Sequence, residues 1–175
     1  MVIRLDKYLC DMQAGTRSAV KDIIRKKKVT INGEVITRPE TKVDTDKDVV
    51  TVDNNVLGYS EYEYYMLNKP AGVVSAVSDK NFKTVVELIT DKKRKDLFPV
   101  GRLDKDTEGL LIITNNGDMA HRLLSPKHHI DKTYYVVAKG SIDNKYIDEF
   151  KNGLVVDKDF TAMPAKLEIL QYNNQ

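Results

Sequence analysis

The sequence contains a single cysteine, Cys10, among 175 residues, so no disulfide can form within the chain. It also lacks any apolar run near the roughly 20 residues that a membrane-spanning helix needs. Its first residues do not show the basic segment and long apolar core of a secretory signal. Together these absences predict a cytoplasmic protein that has no membrane partner.

Recognisable metal and nucleotide sites are absent as well. The three histidines and the lone cysteine do not have the spacing of metal ligands. Neither a phosphate-binding loop nor a dinucleotide-binding glycine pattern occurs, and Ser75 and Ser125 lack the context of a nucleophile elbow. We therefore expect no metal site, and any chemistry must come from ordinary side chains.

Charge is distributed unevenly along the chain. Hydrophobic residues make up 41% and charged residues 31%, as in a globular protein, and the net charge is only +2. However, six basic residues and one acid lie between Gly15 and Lys28, and a second basic cluster occupies residues 92–95. Such clusters can bind phosphate even on a nearly neutral protein.

The pattern predicts two domains of an α+β protein with a mostly antiparallel sheet. Residues 1–58 are expected to be short helices followed by short strands, with Asn32-Gly33 as a hairpin turn. Residues 59–63 are expected to form a linker that leaves the first domain mobile. The second domain, residues 64–175, is expected to contain strands at 64–67, 109–114, 132–138 and 166–170 and helices at 84–89, 118–124 and 144–151.

Two helices are predicted in the first domain. Apolar residues at positions 5, 8, 9 and 12 recur at helical spacing and indicate one buried stripe. Thr16 can cap the second helix, whose apolar side is expected to pack inward. Its other side carries cations four residues apart, which places them on one face: Arg17, Lys21 and Arg25.

The segment 101–115 is the densest chemical signal, because a charged loop runs directly into a nearly unbroken apolar strand. Charged groups at the end of a buried strand stand on a rigid support, as a functional site requires. From the residues alone, catalysis and an ordinary turn are equally compatible with the pattern. In the ordinary turn, Arg102 would simply pair with Asp104 or Asp106.

Motifs at residues 4–9, 16–18 and 29–35 resemble the alpha-L type RNA-binding domain. This domain occurs in a small-subunit ribosomal protein, in tyrosyl-tRNA synthetases and in many RNA-modifying enzymes. The resemblance implies that the first domain binds structured RNA by shape and phosphate contacts. The implied RNA contacts are Arg4, Lys7, Arg17, Lys21 and Arg25.

Residues 101–104, Gly-Arg-Leu-Asp, resemble the signature that carries the catalytic aspartate of pseudouridine synthases. Residues 66–74, 121–129 and 132–134 resemble further motifs of one branch, the small-subunit (16S) ribosomal RNA pseudouridine synthases. The resemblance implies that Asp104 starts the reaction and that Arg102 helps to hold open the space of the displaced base. It also implies that Tyr134 stacks on the uracil and is a candidate for the proton-transfer step. Further RNA contacts would come from the remaining basic motif residues: Lys69, Arg122, Lys127, His128 and Lys132.

The implied reaction isomerises a uridine to pseudouridine, which is uridine re-attached through carbon 5. The base must first be flipped out of its stack at a cost of roughly a few kcal/mol, and stacking on an aromatic ring can return about 1–3 kcal/mol. The aspartate could attack the anomeric carbon, attack the uracil ring or remove a sugar proton. No external electrons or groups are needed, so no cofactor is expected.

Other interpretations stay open at this level. The chain could be a non-catalytic RNA-binding or ribosome-assembly protein, or it could modify large-subunit (23S) ribosomal RNA. The expected partner is ribosomal RNA within a small-subunit assembly intermediate, bound by a monomer. The family also carries a later basic motif, after the segment represented here by residues 164–170. The resemblance therefore implies a truncated chain with an incomplete catalytic domain, and activity is expected of its longer parent.

Overall fold

The computed structural model describes residues 1–128, 130–140 and 142–170, which fall into two compact units at residues 1–130 and 131–175. His129, part of one predicted motif, lies outside the described residues. The described residues combine helices with antiparallel sheets, all of which lie in the first unit, and this confirms the predicted α+β class. Within the described ranges, no helix is both long enough and apolar enough to cross a bilayer.

The first unit begins with two helices and small sheets. Strand β1 (Val2–Arg4) pairs antiparallel with β4 (Lys42–Asp44), and the four-stranded sheet has the order β3-β2-β5-β6. The remaining elements of this region are α1 (Leu5–Asp11), α2 (Arg17–Arg25), β2 (Val29–Ile31), β3 (Glu34–Val35), β5 (Val50–Val52) and β6 (Asn55–Val56).

Local sequence signals explain these elements. The predicted stripe on α1 is buried, including Leu5 and Leu9, which are fully enclosed. The Thr16 hydroxyl accepts a hydrogen bond from the Ala19 N–H at 3.3 Å and caps α2 as predicted. Asn32 (φ 53°) and Gly33 (φ 86°) both adopt positive φ, the conformation that a tight hairpin turn between β2 and β3 requires.

A three-stranded antiparallel sheet forms the second half of this unit, in the order β7-β9-β8. The central strand β9 (Gly109–Thr114) coincides with its prediction, since Leu111 and Ile113 are buried in the core. The predicted helix at 84–89 is only a 3₁₀ turn, Val86–Leu88. The other elements are β7 (Tyr64–Lys69), β8 (Phe98–Val100), α3 (Gly117–Leu124) and a 3₁₀ turn at Pro126–His128.

The second unit contains α4 (Lys145–Asn152), which ends at Gly153 with φ 99° and confirms the predicted helix and its stop. The predicted strands at 132–138 and 166–170 are not strands in the described chain. A strand exists only when a neighbour supplies the paired backbone groups. Here the sole bridge among the unit's described residues joins Val155 to Thr161, so the residue types of these two segments did not suffice to predict strands correctly.

Candidate active site

The charged loop predicted as a functional segment joins β8 to β9. Both strands are hydrogen-bonded in one sheet, so the ends of the loop are fixed. Gly101 (φ 89°) and Gly109 (φ 126°) bracket it in conformations that favour glycine. Within the loop, the Thr107 N–H donates to the Asp104 carbonyl at 3.1 Å and closes a turn. The loop therefore has a defined backbone path on a rigid support.

Lys69, at the end of β7, fixes this loop through hydrogen bonds from its side chain to the loop's backbone. Its side chain is fully buried, and the Nζ donates to the carbonyl oxygens of Pro70 (3.2 Å), Lys105 (2.9 Å) and Thr107 (2.7 Å). The prediction that Lys69 lines an RNA-facing cleft is wrong, because its ammonium is enclosed and bonded to backbone. Its function here is to fix the backbone immediately after Asp104.

Ser75 fixes the backbone immediately before Asp104. Its hydroxyl donates to the Leu103 carbonyl at 2.8 Å and accepts from the Leu103 N–H at 3.1 Å. The Gly72 N–H adds a bond to the Lys105 carbonyl at 2.9 Å. The sequence did not reveal Ser75, because these bonds join residues 28 positions apart. Asp104 is thus held on both sides through its backbone neighbours.

The loop borders an open depression of about 410 Å³, a size within the range of small-molecule sites. The structure brings Arg102 and Asp104 together on its wall, and both side chains are exposed. In the described chain, no ion pair joins Arg102 to Asp104 or Asp106, so the local pair that the ordinary-turn interpretation assumed does not form. The complete lining is Val74, Ser75, Ala76, Asp79, Arg102, Leu103, Asp104 and Lys105.

A second loop lines the rest of the depression through residues 74–76 and 79. The Asp79 carboxylate accepts the N–H groups of Asn81 (2.8 Å) and Phe82 (2.9 Å), and these bonds lower the pKa of Asp79. The Lys105 ammonium lies 4.0 Å from the centre of the Phe82 ring, a cation–π contact between the two loops. Sequence reasoning missed Asp79 and Phe82, since nothing in their local pattern reveals this pairing.

The other predicted contact residues are more dispersed. Arg122 is exposed in the last turn of α3, and Lys127 and His128 are exposed in the 3₁₀ turn that follows. Lys132 and Tyr134 belong to the second unit, where the Tyr134 side chain is exposed. Their assigned roles remain predictions.

The cations of the first helical region differ in availability. Arg17 and Lys21 are exposed on α2, and Lys7 is exposed on α1. Arg25 forms an ion pair with Asp22 at 4.0 Å, and this pair is weak because both side chains are exposed. Arg4 donates two hydrogen bonds to Asp6, at 2.9 and 2.7 Å, and this contact lowers the pKa of the Asp6 carboxyl. Arg17 and Lys21 are therefore the cations of this face best placed to meet a phosphate.

The second basic cluster, residues 92–95, is only partly a charged surface. Arg94 is buried and pairs with Asp11 and Asp96. The Lys92 ammonium donates to two carbonyl oxygens, those of Val86 and Ile89, at 3.1 Å each. The interpretation of the whole cluster as a phosphate-binding patch is wrong, because half of its cations are consumed by contacts within the protein.

Comparison with known proteins gives two family matches. The RNA pseudouridylate synthase family matches residues 63–173, and the S4 domain matches residues 3–50. An uncharacterised RNA pseudouridine synthase of Bacillus subtilis is 44% identical over 168 residues, which cover 95% of this chain and 70% of the relative. The match therefore includes both the N-terminal region and the charged loop.

Relatives with named substrates are also similar. The ribosomal small subunit pseudouridine synthase A of Haemophilus influenzae is 34% identical, over 98% of this chain and 75% of that protein. The ribosomal large subunit pseudouridine synthase B of Bacillus subtilis is likewise 34% identical, over 98% of this chain and 70% of that protein.

A solved structure agrees with the sequence matches. The crystal structure of a pseudouridylate synthase has a TM-score of 0.58 and 33% identity, and it covers 97% of this chain and 73% of the solved chain. The family match spans the loop that carries Arg102 and Asp104, and the S4 match spans the helix that carries Arg17 and Lys21. This chain is thus a member of the RNA pseudouridine synthase family with an N-terminal S4 RNA-binding domain.

Proposed function

We propose that this enzyme isomerises a specific uridine of 16S ribosomal RNA to pseudouridine, with Asp104 as its essential catalytic residue. The observation that carries the proposal is the setting of Asp104. Its carboxylate is exposed beside Arg102 on the wall of a depression, while buried Lys69 fixes the backbone behind it. Residues 1–58 would serve as the RNA-binding domain, 59–63 as the connection and 64–175 as the catalytic domain.

The proposed mechanism begins with a uridine flipped out of its helix, since the reacting atoms are inaccessible within a stack. Arg102 would help to hold open the space of the displaced base, and Tyr134 would stack on the uracil. Asp104 would then attack the anomeric carbon, attack the ring or remove a sugar proton. Each route needs an ionised carboxylate, a form that a nearby cation favours. Among the described residues, none forms an ion pair or a side-chain hydrogen bond with the Asp104 carboxylate.

Similarity to the named relatives supports ribosomal RNA as the substrate, and several relatives that act on the small subunit support 16S RNA. The comparable identity of the large-subunit enzyme keeps 23S RNA as the competing target. We further propose that the enzyme acts as a monomer on a small-subunit assembly intermediate, where the target uridine is still accessible.

Deletion of the gene tests the proposed reaction directly. We expect one pseudouridine to disappear from 16S RNA when all ribosomal RNA pseudouridines are mapped in the deletion strain and its parent. Restoring the gene should restore that nucleotide. Loss of a pseudouridine from 23S RNA alone would contradict the proposed target, and an unchanged map would contradict the reaction itself.

The exposed cations of α2 predict a measurable salt effect. Replacing both Arg17 and Lys21 by glutamine should weaken RNA binding. The slope of log affinity against log salt concentration should also become less steep, by roughly 0.7–0.9 for each lost phosphate contact. Titration of a structured RNA at several salt concentrations measures this slope. The matched control is Lys47→Gln, which removes an exposed cation outside α2. An unchanged slope in the double variant would exclude this face from RNA binding.

A further inference from the structure

The buried arginine of the second basic cluster lies where the S4 domain meets the rest of the first unit. We infer that Arg94 is a positioning residue that locks the S4 domain to the catalytic region. The lock would hold the RNA-binding face of α2 at a fixed distance from Asp104 and so help to select the target uridine. This consequence for substrate selection rests on the proposed function, whereas the lock itself does not.

The Arg94 guanidinium binds groups from three parts of the chain. It donates to the Asp96 carboxylate in its own segment at 3.0 and 2.8 Å, a two-pronged contact that lowers the pKa of Asp96. It lies 3.3 Å from the Asp11 carboxylate at the end of α1, and 3.4 Å from the carbonyl oxygen of Ser60. One side chain thus bridges the S4 domain, the connecting segment (residues 59–63) and the catalytic region.

The connecting segment is itself bound on both sides. The Tyr59 ring packs against the Tyr8 ring, with centroids 5.0 Å apart, and its hydroxyl donates to Asp11 at 3.1 Å. The Glu63 carboxylate accepts the backbone N–H groups of Lys93 (3.1 Å) and Arg94 (2.8 Å). These contacts argue against the free linker that the sequence predicted for residues 59–63.

A further bond crosses the junction without using the connecting segment. The Gln13 side-chain amide donates to the Lys92 carbonyl at 3.0 Å. Because Lys92 is itself anchored by its ammonium to the 3₁₀ turn at Val86–Leu88, this bond ties the S4 domain to the catalytic core. The junction therefore has several independent attachments, with Arg94 at their centre.

The energetic consequence follows from burial. An arginine that is shielded from water and paired with two carboxylates cannot leave them without exposing uncompensated charge, so the paired geometry is strongly favoured. Two loosely tethered domains would lose conformational entropy when both contact one RNA. A rigid junction avoids that loss. Only RNAs with the correct spacing between S4 contact and uridine would gain from both domains.

A distance measurement tests the lock without any reference to activity. Cysteines introduced as Glu34→Cys and Asp118→Cys can carry spin labels selectively, because both sites are exposed and native Cys10 is buried. We expect a narrow distance distribution in the otherwise native protein and a markedly broader one with Arg94→Lys. The control is Lys95→Gln, the loss of an exposed neighbouring cation. Equal widths with and without Arg94→Lys would overturn the inference.

Activity on two RNAs tests the consequence for substrate selection. One RNA would be long enough to reach both domains, and the other would be a short oligonucleotide around the target uridine. With Arg94→Lys, kcat/KM on the long RNA should fall on the order of tenfold or more, while the value on the oligonucleotide stays unchanged. Asp11→Asn, a milder variant that alters only the S4 side of the junction, should show the same pattern to a smaller extent.

The possible results separate the two proposals. An equal loss on both RNAs by folded variants would mean that Arg94 supports the catalytic region itself, and would overturn its positioning role. If the native protein modified neither RNA, the proposed function would fail, while the spin-label distances would still decide whether the junction is rigid.

Discussion

Replacing Asp104 by asparagine is expected to lower turnover by a factor on the order of 10²–10⁴ or more, the usual contribution of an acid–base or nucleophilic group. The amide has nearly the same shape but cannot attack carbon or accept a proton from the sugar. Because Asp104 is exposed and fixed only through backbone bonds, the variant should fold normally. Pseudouridine formation and RNA affinity, measured on the same preparation, should therefore diverge.

The matched control is Asp106→Asn, which removes an exposed carboxylate two residues away in the same loop. We expect this variant to keep near-native turnover, since Asp106 does not line the depression. Substantial turnover in Asp104→Asn, or loss only in Asp106→Asn, would contradict the assignment. A parallel loss of RNA affinity would instead indicate that Asp104 contributes to binding.

Replacing Lys69 by methionine is expected to lower the free energy of unfolding by about 2–4 kcal/mol, because buried partners are left without a donor. Methionine fills similar space but provides no proton to the three carbonyl oxygens that now accept from Nζ. The loop should lose its fixed path, so turnover should fall together with stability. Denaturant unfolding and single-turnover kinetics measure the two effects.

Ser75→Ala supplies a graded comparison for Lys69→Met. It removes one neutral hydroxyl that exchanges two hydrogen bonds with Leu103, so we expect a smaller loss of about 1–2 kcal/mol. Ser78→Ala, at an exposed position in the neighbouring loop, should have no measurable effect. Unchanged stability in Lys69→Met, accompanied by weaker RNA binding, would restore the earlier interpretation of Lys69 as an RNA contact.

Features that depend on residues within one or two turns of chain were predictable from the sequence. The buried stripe of α1, the Thr16 cap of α2 and the Asn32-Gly33 hairpin all have the predicted form. The strand Gly109–Thr114 and the charged loop before it were predicted as well, because the change from charged to apolar residues is abrupt. These signals act locally and need no knowledge of the fold.

The functions of the basic residues were not predictable in the same way. Lys69 and Arg94 look like surface cations in the sequence, yet both are buried and serve partners far along the chain. Conversely, residues 132–138 are rich in the β-branched and aromatic residues that favour strands, but no paired neighbour makes them a strand in the described chain. Burial and strand pairing depend on which segments meet, and a one-dimensional pattern does not contain that information.

The sequence by itself determined the local elements and the motifs that identify the family, because capping, periodicity and turn geometry are properties of a few adjacent residues. Only the tertiary structure decided which charges remain available for RNA and which hold the protein together. That decision depends on desolvation, since a cation removed from water must find acceptors inside the protein. Lys69 and Arg94 are buried and bonded to such acceptors, whereas Arg17, Lys21 and Arg102 remain exposed.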